Sequence, residues 1–214
     1  MVMGDLVLLD EEVPPVMSGL FDNGFEVSAL HNHLNQVQPH VMYMHYEGHG
    51  DALQMAQALH EVLSASATPL SPAMPPPAPG TPSGPQLDIG MLDGILGYTG
   101  RANGSIVQYS VPRAESIVEM GHQLLPAMGV ATALNFQPTS ASTAAITGDF
   151  ALTGNEVEAV AQALRANGIE VTAMHQHHIG EDPRLFYMHF WANDDPAKLA
   201  RGLRAALDQT NSAT

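Results

Sequence analysis

The sequence contains no cysteine. That excludes disulfides, thiolate zinc sites and iron–sulfur clusters, and leaves the redox compartment open. Basic residues are scarce, with 7 Lys and Arg against 22 Asp and Glu and a formal net charge of −15. Such a chain repels phosphate backbones and anionic bilayers, so neither nucleic acid nor a membrane surface is an expected partner. No apolar run approaches the ~20 residues that span a bilayer. Met1-Val2-Met3 leads straight into a predicted strand with no visible signal peptide. This reads as a start set inside a longer parent chain, or as a short N-terminus. A nucleophile elbow, a phosphate loop and a dinucleotide fingerprint are all missing. The glycine-rich stretch Gly97–Gly104 lacks the Lys-Ser/Thr ending of a phosphate loop.

What is there is a repeat. His31, His33 and His45 recur as His175, His177 and His189, each 144 positions further along. Gly4-Asp5 matches Gly148-Asp149, Asn23-Gly24 matches Asn167-Gly168, and Tyr43-Met44-His45 matches Tyr187-Met188-His189. The alignment runs ungapped from Gly4 to about Ser66, with roughly a third of positions identical. A repeat of this kind sets the architecture before any element is assigned. The 214 residues fit one large or two small domains, and 45% hydrophobic content supplies real cores.

The second copy has the clearer pattern. Ala144–Leu152 reads as a strand, and Thr153-Gly154-Asn155-Glu156 as a helix start capped by Thr153 or Asn155. Val157, Val160, Ala161 and Leu164 follow at helical spacing, and Asn167-Gly168 supplies a left-handed stop. Ile169–His178 and Arg184–Ala192 read as strands around a polar turn at 179–183. Pro196 begins a last helix whose face carries Leu199, Leu203 and Leu207. The expected fold class is α+β. It comprises two β-α-β-β-α repeats, ferredoxin-like, with antiparallel sheets and helices on one face, plus a hairpin-rich subdomain. The boundaries are repeat 1 over 1–66, a proline-rich linker over 67–86, the hairpin subdomain over 87–142 and repeat 2 over 143–214. Within 87–142 the pattern predicts a short helix around Leu87–Ile95. Three strands follow at Gly104–Pro112, Ile117–Leu125 and Val130–Gln137, the first two joined as a hairpin. No segment ahead of repeat 1 corresponds to this subdomain.

The histidines carry the chemistry. Alternate residues of a strand share a face, so His175 and His177 project together. His189 lies on the next strand, which the 179–183 turn makes antiparallel, and register decides whether it joins them. Three converging imidazoles form a metal site with an open coordination position, the mark of catalytic zinc. Copper and non-haem iron also accept such nitrogens. The six expected ligands are therefore His31, His33, His45, His175, His177 and His189, with His122 a candidate addition. A pattern kept through two diverged copies outweighs the alternative that these histidines only knit strands together. Glu119 and Glu115 are candidate carboxylate partners, and Tyr43 and Tyr187 candidate proton or hydrogen-bond donors. His40, His49, His60 and His178 are unmatched between the copies and read as surface residues, with His49 a candidate accessory near the first site. Met42, Met44, Met174 and Met188 read as core filler. Asp5 and Asp149, each after a glycine, read as turn chemistry.

Three groups of segments carry a family resemblance. One is Gly-Asp-Phe-Ala-Leu-Thr at 148–153, with Ala-Leu-Arg-Ala-Asn-Gly-Ile-Glu-Val-Thr-Ala-Met-His-Gln-His at 163–177. Another is Arg-Leu-Phe-Tyr-Met-His-Phe-Trp-Ala-Asn-Asp at 184–194. The third combines Ser110-Val111-Pro112-Arg113, Pro126-Ala127-Met128-Gly129 and Asn135-Phe136-Gln137-Pro138. Together they resemble the bacterial LppY/LpqO family, over nearly all the chain outside the linker. The resemblance implies two tandem modules, each a hairpin subdomain followed by a histidine-bearing unit, of which this chain lacks the first subdomain. It also implies an extracytoplasmic setting, periplasmic or secreted, and names no reaction.

The expected function is metal binding, one three-histidine site per repeat, with zinc first and copper or iron as alternatives. A catalytic site would activate water for hydrolysis, or support oxidation with a redox metal, on a small-molecule substrate. The alternatives are a non-catalytic module for a metal or small ligand, and an interaction protein. Pairing of the repeats within the chain, or a homodimer, would cover the open sheet faces.

Overall fold

A computed structural model describes residues 1–70 and 85–213. The proline-rich linker expected over 67–86 therefore lies largely outside the described residues. The chain divides into two compact units, Met1–Pro79 with Gln176–Ile179, and Gly80–His175 with Gly180–Thr214. The fold class is α+β, with antiparallel sheets throughout and helices packed on them.

The first unit runs β1 (Val2–Leu9), α1 (Val13–Asp22), β2 (Glu26–His31), β3 (Val41–Gly48) and α2 (Ala52–Leu63). Its sheet order is β1-β3-β2. A proline pair, Pro14-Pro15, sits in the first turn of α1, where the missing N–H groups have no helical partner to lose. Asn23-Gly24 ends the helix, with Gly24 at φ +77°. The Asp51 carboxylate caps α2 by accepting from the amides of Leu53 and Gln54. Leu8, Val16, Leu20, Phe25, Met44 and Val62 form one core between helices and sheet.

The second unit begins with α3 (Ile89–Leu96), then β4 (Arg101–Asn103), β5 (Ile106–Val111), β6 (Ile117–Glu119), β7 (His122–Leu124) and β8 (Thr132–Pro138). Repeat 2 follows as β9 (Ala144–Thr153), α4 (Val157–Ala166), β10 (Glu170–His175), β11 (Leu185–Asp194) and α5 (Pro196–Leu207). The six-stranded order β10-β11-β9-β8-β5-β4 contains the repeat order β9-β11-β10 and extends it through β8. Phe150, Leu152, Met188 and Phe190 face Val160, Leu164, Leu199 and Leu203 in a single core. Each such fully buried side chain contributes roughly 1.5–3 kcal/mol of apolar burial. The alternate residues of β9 and β11, among them Asp149, Tyr187 and His189, face away from the helices.

Two expectations for residues 87–142 are corrected. Ile117–Leu125 is not one strand: Met120 and Gly121 take positive φ (50° and 81°) and fold it into the β6–β7 hairpin. Nor does it pair with residues 104–112, because β5 lies between β4 and β8. Gly148 shows why β8 can lie where it does. A Cβ there would fall 1.9 Å from the Ala133 carbonyl oxygen, so only glycine admits that close approach. No described helix is long and apolar enough to cross a membrane.

Candidate metal centre

The register of the two sheets reproduces the repeat residue by residue. In the first unit Asp5 pairs with His45 across β1–β3, and His31 with Tyr43 across β2–β3. In the second, Asp149 pairs with His189 and His175 with Tyr187. Directly opposed residues of an antiparallel pair share a face, so the carboxylate, tyrosine and two histidines of each repeat project together.

A bulge makes this possible. The register shifts between Val27 and Ala29 in β2, and between Val171 and Ala173 in β10. In an unbroken strand Val171 and His175 would share a face. The extra residue reverses the parity, so Val171 packs on the core while His175 joins His189.

In the second unit the Nε2 atoms of His175 and His189 lie 2.8 Å apart, one ring donating and the other accepting. The rings stack, centroids 4.9 Å apart. The ligating atoms of Asp149 and His189 lie within 4.8 Å of each other. Tyr187 is fully buried, and burial first, then nearby Asp149, pushes its hydroxyl well above the ordinary tyrosine value. It is a hydrogen-bond donor at neutral pH and no base.

In the first unit Asp5, His33 and His45 bring ligating atoms within 4.8 Å of one another. His31 stacks on both His33 and His45, with centroids 4.9 and 5.0 Å apart. His33 lies over Tyr43 at 3.6 Å. The Asp5 carboxylate is 3.8 Å from His45 Nε2. Burial of that carboxylate pushes its pKa up to about 7, although 33% of the side chain stays exposed. Burial and the Asp5 charge, in that order, raise the Tyr43 hydroxyl.

His33 and His177 do not lie on strands, since β2 ends at His31 and β10 at His175. Alternation along a strand therefore does not place them. His33 reaches the first site from the loop after β2. His177 lies in Gln176–Ile179, which belongs to the first unit. There its ring stacks on His45 at 4.1 Å.

The structure adds Asp5 and Asp149, which their glycine neighbours had suggested were turn residues. Their signal was duplication itself: a carboxylate kept in both copies beside kept histidines. His178 is also corrected, being buried and 3.8 Å from the buried Glu47 rather than on the surface. His40 is exposed and 2.8 Å from Asp10, and His49 and His60 are exposed. His122 is exposed on β7, outside the convergent ligand groups found among the described residues. Glu119 is buried and accepts from the amide of Gly180. Glu115 is engaged by Arg113 at 2.9 Å. Met44 and Met188 are buried in the two cores, whereas Met174 is exposed and Met42 half-buried.

A second duplicated carboxylate is structural. Glu156 accepts from the amides of Thr153 and Asn211, and Glu12 from those of Leu9 and Ala67. These partners are again related by the repeat offset. In the second unit the Arg113 guanidinium grips Glu156 with two bonds, of 2.7 and 3.0 Å.

A family model described as Domain of Unknown Function (DUF1259) matches residues 1–65 and 91–209. No curated protein matches the sequence.

Proposed function

We propose, for a chain that belongs to the DUF1259 family, a function the family's description does not supply: binding of a transition-metal ion by the duplicated histidine–aspartate clusters. The observation that carries this is the convergence of Asp5, His33 and His45 to within 4.8 Å. Imidazole and carboxylate are the ligands that zinc, iron and copper share. Carboxylate and imidazole bind a cation in their deprotonated forms, so loading the ion releases whatever protons they carry. The histidines on β3 and β11 are second in each ligand row, with a carboxylate on one neighbouring strand and an imidazole on the other.

Zinc is the first assignment. A set of two histidines and one carboxylate also suits ferrous iron in oxidative enzymes, and Asp5 with His33 and His45 favours that second reading. A vacant coordination position would let either metal activate water or oxygen on a small-molecule substrate. The buried Tyr187 hydroxyl would then stand by as a hydrogen-bond donor. We also group the chain with the LppY/LpqO proteins, on the segments that resemble them. An extracytoplasmic location follows from that placement.

The test is a thermal melt of chelator-treated protein with and without added metal. Ligand at about 100 times its Kd adds about 2.7 kcal/mol to stability. For a chain of this size that raises Tm by about 5–10 °C. The better of zinc and anaerobic ferrous iron is expected to give that rise and to identify the metal. No rise with either ion, nor with copper, would overturn the proposal.

A further inference from the structure

The repeat assigns His177 a place beside His175 and His189, by analogy with His33 beside His31 and His45. The structure also sets its ring against His45 of the first unit. Gln176–Ile179 forms part of the first unit, although it stands in the second half of the sequence. Three contacts within that unit seat it. The Ser28 hydroxyl donates to the His177 carbonyl. The His177 ring stacks on His45 at 4.1 Å, interplanar angle 24°. His178 Nδ1 is 3.8 Å from a Glu47 carboxylate oxygen, both side chains buried.

We infer that His177 is a ligand of the first unit's metal site, alongside Asp5, His33 and His45. This rests on the metal-binding reading above. The ligating nitrogens of His177 and His45 lie within 4.8 Å of each other, and so do the Asp5 carboxylate oxygen and the ligating nitrogens of His33 and His45. Ser28 is the bulge residue of β2. A bulge residue leaves the ladder, and here its buried hydroxyl turns to the backbone of the incoming segment. His178 anchors the same segment one residue on. The segment is held at the His177 carbonyl and again at His178, which fixes the backbone that carries the imidazole, as a metal ligand needs. The first site therefore draws one ligand from 132 positions after His45 in the sequence.

The experiment is a cobalt(II) titration of the full chain, with cobalt as the coloured stand-in for zinc. The background variant is His175→Ala/His189→Ala, which leaves the first unit's ligands intact. It is expected to keep one cobalt site. Adding His177→Ala should weaken that site at least about tenfold, the lower end of what loss of a ligand's supporting partner commonly costs. Adding His60→Ala, on the exposed face of α2, should leave it unchanged. His177→Cys should restore binding and give a thiolate-to-cobalt charge-transfer band, since the chain has no other cysteine. Circular dichroism verifies that each variant folds. A background whose affinity is indifferent to His177→Ala, with no band from His177→Cys, overturns the inference and leaves metal binding standing. So does a background that binds no cobalt while the wild-type chain does. A wild-type chain that binds no cobalt, zinc or iron instead defeats the metal-binding reading itself.

Discussion

Alanine at both His45 and His189 is expected to abolish metal binding, lowering affinity by at least about 100-fold. Each residue lies on the middle strand of its repeat's three, β3 or β11. Each pairs with an aspartate on one side and sits beside a histidine on the other. Removing it takes away the ligand that the others share. Even residues that only support a ligand commonly change affinity 10–100-fold, so loss of a shared ligand in each unit exceeds that range. Isothermal titration with zinc reads the effect. Both rings are largely buried, at 7% and 5% exposure, so the alanines leave small cavities. His45→Gln/His189→Gln fills that volume and should lose metal equally. A glutamine pair that binds as the wild type does would show that these imidazoles are not ligands.

Arg113→Ala is expected to destabilise the second unit by about 3–5 kcal/mol, the range for stripping one partner from a buried ion pair. The guanidinium is 2% exposed in its side chain and Glu156 7%. Arg113 binds Glu156, Glu115 and the Ala151 carbonyl. Without it, the Glu156 carboxylate stays buried with only backbone donors. Replacing both residues by leucine and methionine should cost much less, because no charge is left behind. Urea unfolding at pH 7 measures both. The pair also sets a pH dependence. Burial alone would raise the Glu156 and Glu115 carboxyls, but the Arg113 hydrogen bonds and charge outweigh it and hold both below the ordinary glutamate value. A depressed carboxylate pKa adds stability that is present above the unfolded-state value and lost as pH falls through the folded-state value. Wild-type stability should therefore fall below about pH 4.5. The Arg113→Ala variant should show less of that fall.

Much of this was legible in the sequence because the repeat doubles every signal. Helix α4 is written in Val157, Val160 and Leu164, with Asn167-Gly168 as its stop, and the same pattern recurs in α1. The strands β9 and β11 follow from length and composition. The site was legible only in its residue types. Strand alternation would have set His175 and Val171 on one face, and the bulge that separates them has no signature in Val-Thr-Ala. Asp5 and Asp149 were hidden by their neighbours, since Gly-Asp suggests a turn wherever it occurs. In fact the glycine is needed inside a strand, where a carbonyl passes at Gly148. The β6–β7 hairpin was hidden by Met120, a residue that seldom takes positive φ. The membership of Gln176–Ile179 in the first unit is a tertiary fact that no local pattern encodes.

The measurement that tests the central claim most directly is elemental analysis of the full chain, purified without a histidine tag, beside the His45→Gln/His189→Gln variant. Metal binding at the duplicated clusters predicts roughly one to two equivalents of zinc or iron per chain, absent from the variant. A chain that carries no metal and takes up none on reconstitution would contradict it, and the histidines would then be hydrogen-bonded struts of two antiparallel sheets.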